Sequence, residues 1–189
     1  MQIKEKKSNA GFSLVELLVV VAIMGVLMGG AIMSWYTISS NNVKKAGGYI
    51  DDAMTECKGR AKTMAAHAWT VELTNDTVQV HRYISDEKGS VTDEVILSEN
   101  LPRNVDVYVL MDYGEKIDLT SDADMIQFEY KILTGEISTV YVEHGGASWS
   151  VYNNNALYAN YKYCDIVCKY ENREHVIRLY FTTGKHIEQ

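Results

Sequence analysis

The chain has 189 residues, of which 47% are hydrophobic and 23% charged, proportions that are ordinary for a folded protein and exclude wholesale disorder. Its formal net charge is −7; the first eleven residues contribute +2, so residues 12–189 carry −9. Nucleic-acid binding draws most of its affinity from Lys and Arg contacts to phosphates, so we expect no direct nucleic-acid contact from this acidic body.

The first feature in chain order is a short basic segment, Lys4 to Lys7, followed by a long apolar run. No charged residue lies between Leu17 and Val43, and Leu17 to Met33 is almost purely aliphatic. With Trp35 and Tyr36 as interfacial anchors, the run is long enough to cross most of a hydrocarbon layer about 30 Å thick. The preceding lysines predict a cytoplasmic N-terminus, with the rest of the chain outside.

Glu16 is an acidic residue at the start of this apolar run. A carboxylate costs up to about 3 kcal/mol at the bilayer centre, so an ionisable residue in a membrane segment indicates a function and needs a partner. A cleaved secretory signal peptide would be followed by an A-x-A-like site, and the residues after the run offer none. A plain signal anchor fits the hydropathy and leaves Glu16 unexplained.

The stretch GFSLVELL, residues 11–18, resembles the prepilin processing signal of type IV pilins and of the pseudopilins of type II secretion and DNA-uptake machines. The resemblance implies that a membrane-embedded prepilin peptidase cuts between Gly11 and Phe12 on the cytoplasmic side and then N-methylates Phe12. Cleavage creates an α-amine that can pair with Glu16 of its own chain or of a neighbouring subunit. The resemblance favours the neighbour, which makes Glu16 an assembly residue.

The same resemblance implies the partners of the chain. They are the prepilin peptidase, other pilin or pseudopilin subunits and, indirectly, an inner assembly platform and a motor ATPase. Membrane lipid surrounds the segment before assembly, and the assembled filament lies at the cell surface, in the periplasm or in the cell wall. All machines of this kind share the N-terminal signal, so secretion, DNA uptake, adhesion and motility all stay open.

Beyond the membrane segment, apolar residues recur at three- and four-residue spacing as far as Ala68. This pattern predicts one helix over residues 12–68 after a leader of residues 1–11, with the membrane and assembly segment at about 12–36. The period then changes to two, and turn signals divide residues 69–189 into antiparallel strands. The pattern predicts a hairpin around Asn75 and Asp76 and places Ile177, Leu179 and Phe181 on one face of the last strand. The expected fold is therefore α+β, with a long N-terminal helix packed on a C-terminal antiparallel β domain outside the cytoplasm.

Two segments of the β domain carry a second resemblance. MIQFEYKILTGEIS, residues 125–138, and HVIRLYFTTGKHIEQ, residues 175–189, resemble the closing segments of H-type minor pseudopilins and their pilus-tip relatives. This resemblance implies a minor subunit that primes or caps a filament.

Three cysteines, Cys57, Cys164 and Cys168, leave at least one free thiol. Cys164 and Cys168 share one face of a predicted strand, about 13 Å apart at roughly 3.3 Å per residue, so they cannot bridge each other without breaking the strand. We expect buried small apolar side chains at both positions. A bridge from Cys57 to Cys164 or Cys168 is the alternative.

No motif for catalysis, a metal or a cofactor is present. The five histidines are scattered, and neither G-x-S-x-G nor a Walker-type glycine loop occurs. The stretch YNNNALYANYKY, residues 152–163, has the tyrosine-rich composition of adaptable recognition loops. The alternative function is therefore a signal-anchored surface binding or adhesin module that does not polymerise, with Tyr158 and Tyr161 in contact with its target. A membrane-tethered secreted enzyme is a further rival for which the sequence suggests no substrate.

Overall fold

The structure is a computed structural model that describes residues 13–86, 88–121, 123–153 and 161–189. The chain divides into two units, residues 1–39 and residues 40–189. One helix, α1 (Leu14–Thr63), contains residues of both units, and eleven strands follow it within the described residues.

The strands form two antiparallel sheets. In chain order they are β1 (Ala68–Thr74), β2 (Thr77–Ser85), β3 (Val91–Asn100), β4 (Asp106–Met111), β5 (Lys116–Asp118), β6 (Met125–Tyr130), β7 (Ile137–His144), β8 (Ala147–Asn153), β9 (Tyr163–Tyr170), β10 (Arg173–Tyr180) and β11 (Lys185–Glu188). The six-stranded sheet has the order β3-β2-β1-β6-β7-β8, and the five-stranded sheet has the order β11-β10-β9-β4-β5. The predicted α+β class with an antiparallel C-terminal β domain is confirmed.

One apolar core joins the second part of α1 to both sheets. The buried helix residues recur at three- and four-residue spacing, which places them on one stripe of the helix. They are Val43, Ala46, Ile50, Ala53, Met54, Cys57 and Ala61. Burying a large aliphatic side chain contributes roughly 1.5–3 kcal/mol, so this stripe holds the helix to the sheets.

The end of α1 differs from the sequence-based expectation. The apolar spacing predicts a helix as far as Ala68, whereas α1 ends at Thr63 and Ala68 opens β1. The indole N–H of Trp69 donates to the carbonyl of Met64 at 3.3 Å, and a guanidinium from β2 donates to the carbonyl of Ala65 at 3.0 Å. Because these tertiary donors satisfy the carbonyls that a longer helix would use, the chain can leave the helix here and enter the sheet.

The predicted strand patterns agree with the sheets in two places. The β1–β2 hairpin turns around Asn75 and Asp76, as the sequence predicts, with Leu73 opposite Val78. The alternation near the C-terminus is confirmed, because Ile177, Leu179 and Phe181 are all fully buried. The short strands β5 and β11 lie where the sequence pattern predicts none.

All three cysteines are buried and unpaired. Burial raises the pKa of each thiol, that of Cys168 to about 12. Cys164 and Cys168 both lie on β9 with fully buried side chains, which confirms that they act as small core residues. The alternative bridge from Cys57 is not formed.

Asp124 ties the segment before β6 to the β7–β8 turn. Its Oδ2 accepts the backbone N–H of Ser121 at 2.9 Å, and its Oδ1 accepts the backbone N–H of Gly145 at 3.1 Å and contacts His144 Nδ1 at 2.9 Å. Burial alone would raise the pKa of this carboxyl group, but the hydrogen bonds from Gly145 and Ser121, with the charge of His144, outweigh it and lower the pKa to about 2. The ionised form of Asp124 is therefore favoured in the folded state.

The helix and β10 approach each other closely at Gly47. A Cβ atom added at Gly47 would lie 1.9 Å from Cδ2 of His175, so the imidazole leaves no room for a side chain there. At the next position, Gly48, a Cβ atom would have no neighbour within 4 Å. The two adjacent glycines therefore differ in how much space surrounds them.

We expect Gly47→Ala to destabilise the folded chain by roughly 1–3 kcal/mol, because the new methyl group overpacks the contact with His175. Gly48→Ala is the matched control and should stabilise by up to about 1 kcal/mol, since Ala has the higher helix propensity. Thermal unfolding of both variants in the same detergent, followed by circular dichroism, measures the difference. A Gly47→Ala variant as stable as Gly48→Ala would contradict the close approach.

Stability should also depend on pH through Asp124. Because its folded pKa of about 2 is below the ordinary value of 3.8, its stabilisation is complete above the ordinary value and is lost as pH falls through 2. We expect Asp124→Asn to flatten the fall of the unfolding free energy between about pH 5 and pH 2, measured by urea denaturation. Asp76→Asn, at an exposed carboxylate, is the control. Equal slopes for the two variants would refute a special role for Asp124.

Candidate functional site

The start of α1 is the candidate site, because the sequence analysis places Gly11, Phe12 and Glu16 there. Gly11 and Phe12 lie outside the described residues. Glu16 lies in the first turn of α1, and Ser13 immediately precedes the first helical residue, Leu14. Glu16 therefore lies beside the first backbone N–H groups of the helix.

Ser13 and Glu16 exchange two hydrogen bonds. The backbone N–H of Ser13 donates to Oε2 of Glu16 at 2.9 Å, and the backbone N–H of Glu16 donates to Oγ of Ser13 at 3.1 Å. The carbonyl of Ser13 accepts the N–H of Leu17 at 3.2 Å, which is the first bond of the helical ladder. This reciprocal arrangement is an S-x-x-E capping box with Ser13 as the N-cap.

The capping box gives the Glu16 carboxylate a partner within its own chain. The first N–H groups of a helix lack helical acceptors, and the helix dipole places partial positive charge at this end. An anion here gains typically about 0.3–1 kcal/mol from the dipole. From the sequence, Glu16 was paired only with the α-amine, and Ser13 was not predicted as its partner. The S-x-x-E pattern ahead of an apolar run is the signal that identifies it.

The helix surface that follows Glu16 is apolar and exposed. Leu14–Ala31 is an 18-residue span with none of its length buried, and it is the one span in the described part of the chain with the length and composition to cross a membrane. The side chains of Trp35 and Tyr36, the predicted interfacial anchors, lie outside the described residues. So large an apolar surface is rare on soluble monomers and indicates contact with lipid or with other apolar helices.

Two histidines of the β domain, His81 and His186, contact neighbouring elements through their side chains. His81 on β2 lies 2.9 Å from Asp93 on β3 through Nδ1 and 3.1 Å from Oε1 of Gln79 through Nε2. His186 on β11 lies 3.2 Å from Asp51 on α1. Among the described residues, no three His, Cys, Asp or Glu side chains gather as a metal-binding group. These contacts link strands or hold a strand to the helix, which is a structural role.

Tyr161 is engaged with its own domain. Its hydroxyl donates to Oε2 of Glu115 at 2.7 Å, and its ring packs edge-on against Tyr113 with 5.6 Å between centroids. The hydrogen bond to the carboxylate, together with burial, raises the pKa of Tyr161 to about 12. Tyr158, the other residue of the adhesion hypothesis, lies outside the described residues. The contacts of Tyr161 therefore place it against the β4–β5 turn.

Comparison with known proteins identifies the N-terminal segment. Residues 6–32 match the family described as "Prokaryotic N-terminal methylation motif". The matched segment includes Gly11, Phe12, the capping box and the whole apolar span Leu14–Ala31. The match confirms that the chain carries the N-terminal signal of pilin and pseudopilin precursors. Comparisons with curated proteins and with solved structures give no match.

Proposed function

We propose that this chain is a structural subunit of a type IV pilus-like or pseudopilus filament. A prepilin peptidase cuts the membrane-held precursor between Gly11 and Phe12 and methylates Phe12, and the mature subunit assembles through α1. One coincidence carries the proposal. The methylation motif at residues 6–32 covers the exposed apolar span Leu14–Ala31, whose single charged residue is the carboxylate Glu16 near its start.

The exposed span can serve both states of such a subunit. Lipid tails cover it in the bilayer, and the apolar helices of other subunits cover it in the filament. Because lipid tails are about as apolar as the side chains that replace them, this exchange costs little hydrophobic free energy. The subunit can therefore leave the membrane without exposing Leu14–Ala31 to water.

Glu16 can set the register of assembly. The Ser13 N–H occupies one acceptor site on Oε2, and an ionised carboxylate has about four such sites over its two oxygens. Cleavage would add an α-ammonium at Phe12, and the low dielectric between packed helices strengthens its attraction to a carboxylate. The α-ammonium of an entering subunit and the Glu16 carboxylate of its neighbour would neutralise each other only when the two lie side by side. This condition would be met at one position of the entering subunit along the filament axis.

We also propose that the subunit is a minor one. The support is the likeness of residues 125–138 and 175–189 to the closing segments of H-type minor pseudopilins. The turns within these two segments lie against each other, since a Cβ atom added at Gly184 would be 1.9 Å from the carbonyl oxygen of Gly135.

Processing is tested by mass spectrometry of the native N-terminus. We expect the mature chain to begin at N-methylated Phe12, because the motif places the cleavage site before that residue. A native chain that still begins at Met1 and stays monomeric in the membrane would overturn the proposal. It would support instead the alternative of a signal-anchored surface binding module.

Assembly is tested by Glu16→Gln, which removes the charge and keeps an oxygen that can accept the Ser13 N–H. We expect normal membrane insertion and at least about a tenfold loss of incorporation, since tenfold corresponds to the loss of only about 1.4 kcal/mol of pairing energy. Immunoblotting of sheared filaments against the membrane fraction measures incorporation.

Glu56→Gln is the matched control, because Glu56 lies on the same helix and pairs with Arg60 instead. Its incorporation should equal that of the unmodified chain. Normal incorporation of Glu16→Gln would contradict the role of the Glu16 charge in assembly.

A further inference from the structure

We propose that the β6–β7 turn of one subunit docks on the outer face of the six-stranded sheet of a second copy of this chain. Each of the two surfaces has one exposed apolar side chain among charges of one sign. The turn surface comprises Leu133, Lys58, Lys62 and Lys185, and the sheet surface comprises Tyr141, Glu72, Glu129 and Glu143. The inference rests on the proposed filament and adds to it a contact between β domains.

Leu133 is the apolar centre of the turn surface. Its side chain is 79% exposed, and its backbone has a φ of 72°, in the left-handed region that a Leu rarely adopts. The turn is tied to α1, because the N–H of Leu133 donates to the carbonyl of Ala61 at 2.9 Å. A turn alone would form more readily with Gly or Asn at this position. A strained and exposed Leu therefore indicates a surface that contacts a partner.

The lysines of the turn surface converge on the same turn. A Cβ atom added at Gly135 would lie 3.1 Å from Cγ of Lys58 and 2.7 Å from Cε of Lys62. Burial lowers the pKa of Lys58, and the nearby charges of Lys62 and Lys185 lower it further. In the part of the chain that the structure describes, none of the three lysines forms a salt bridge. An anionic partner would therefore relieve their mutual repulsion.

The sheet surface has the opposite charge. Glu72 on β1, Glu129 on β6 and Glu143 on β7 point away from the core, because each follows a buried residue of its own strand. The six strands of this sheet contain a single Lys or Arg, Arg82, which packs over the ring of the buried Trp69 at 5.7 Å. Among the described residues, no Lys or Arg pairs with any of the three carboxylates.

Tyr141 is the apolar centre of the sheet surface. It is 41% exposed and lies on the same side of β7 as Glu143. It is paired with Gln127, which puts it diagonal to Glu129, about 7–8 Å away. The two surfaces therefore match in both apolar centre and charge, and such complementarity fixes the register of a contact. Because two different surfaces meet, the contact is head-to-tail and can repeat along a filament without closing.

Two complementary charge reversals of the full-length chain test the contact. Lys62→Glu with Lys185→Glu reverses the turn surface, and Glu129→Lys with Glu143→Lys reverses the sheet surface. Each double variant expressed alone should be incorporated at least about tenfold less than the unmodified chain, because like charges then meet. Expressed together, the two should be incorporated within about threefold of the unmodified chain, since each meets opposite charges on the other. Immunoblotting of sheared filaments against the membrane fraction measures incorporation.

Leu133→Asn tests the apolar centre separately from the charges. Asn tolerates the left-handed conformation, so the Tm of this variant in detergent should be no lower than that of the unmodified chain. Its incorporation should nevertheless fall at least about tenfold, because the apolar contact is lost. Tyr113→Asn is the matched control, because Tyr113 is a similarly exposed apolar side chain in the β4–β5 turn, and its incorporation should be unchanged.

Several results would overturn the contact and leave the proposed function intact. The first is that either double variant alone assembles as well as the unmodified chain. The second is that the two double variants fail to assemble when expressed together. The third is that Leu133→Asn is incorporated as efficiently as Tyr113→Asn. An unmodified chain that never enters filaments would overturn the proposed function, and this inference with it.

Discussion

A carboxylate in an apolar helix needs hydrogen-bond donors or positive charge close to it, because the hydrocarbon interior of a bilayer supplies neither. At the start of α1, Glu16 meets this requirement with the N–H of Ser13 and the positive end of the helix dipole. The position of the acidic residue thus has a physical reason before any second subunit is present. In the proposed filament, the α-amine of a neighbour becomes a further partner for the same carboxylate.

The apolar side chains of α1 have different surroundings in the two units. Within residues 40–189, the helix is amphipathic, and its apolar stripe is buried against both sheets of the same chain. Within residues 1–39, the helical span Leu14–Ala31 is apolar apart from Glu16, and none of it is buried. A uniformly apolar helix indicates a membrane span or the core of a larger assembly. The proposed function requires both environments in turn, first lipid and then other subunits.

Elements with a long, regular period could be predicted from the sequence. The spacing of Val43, Ala46 and their successors follows the period of a helix, so the buried stripe was identifiable, and the alternation in β9 and β10 likewise predicted strands. The end of the helix was not predictable from the sequence, because Met64 and Ala65 continue the apolar spacing. The helix nevertheless ends before them, and their carbonyl groups accept hydrogen bonds from Trp69 and from β2. The strands β5 and β11 are three and four residues long, too short to establish a period of two.

The candidate site shows a different limit of sequence reasoning. Gly11, Phe12 and Glu16 followed from a local motif that lies within the match at residues 6–32, and their individual roles stay predictions. Ser13 was overlooked although its signal was equally local, because Glu16 had already been given a partner in the α-amine. The capping box shows that one carboxylate can have several partners, so a predicted partner for Glu16 does not exclude a second one.

The central claim is that Glu16 pairs with the amine of a neighbouring subunit in the filament. Solid-state NMR of filaments mixed from two populations, one labelled with ¹³C in Glu and the other with ¹⁵N in Phe, reports contacts between subunits alone. The account predicts a dipolar coupling between the carboxyl carbon of Glu16 and the amine of Phe12 that corresponds to an ion pair with N···O of about 4 Å or less. Mixed filaments that show no coupling between Glu16 and the Phe12 amine would contradict it.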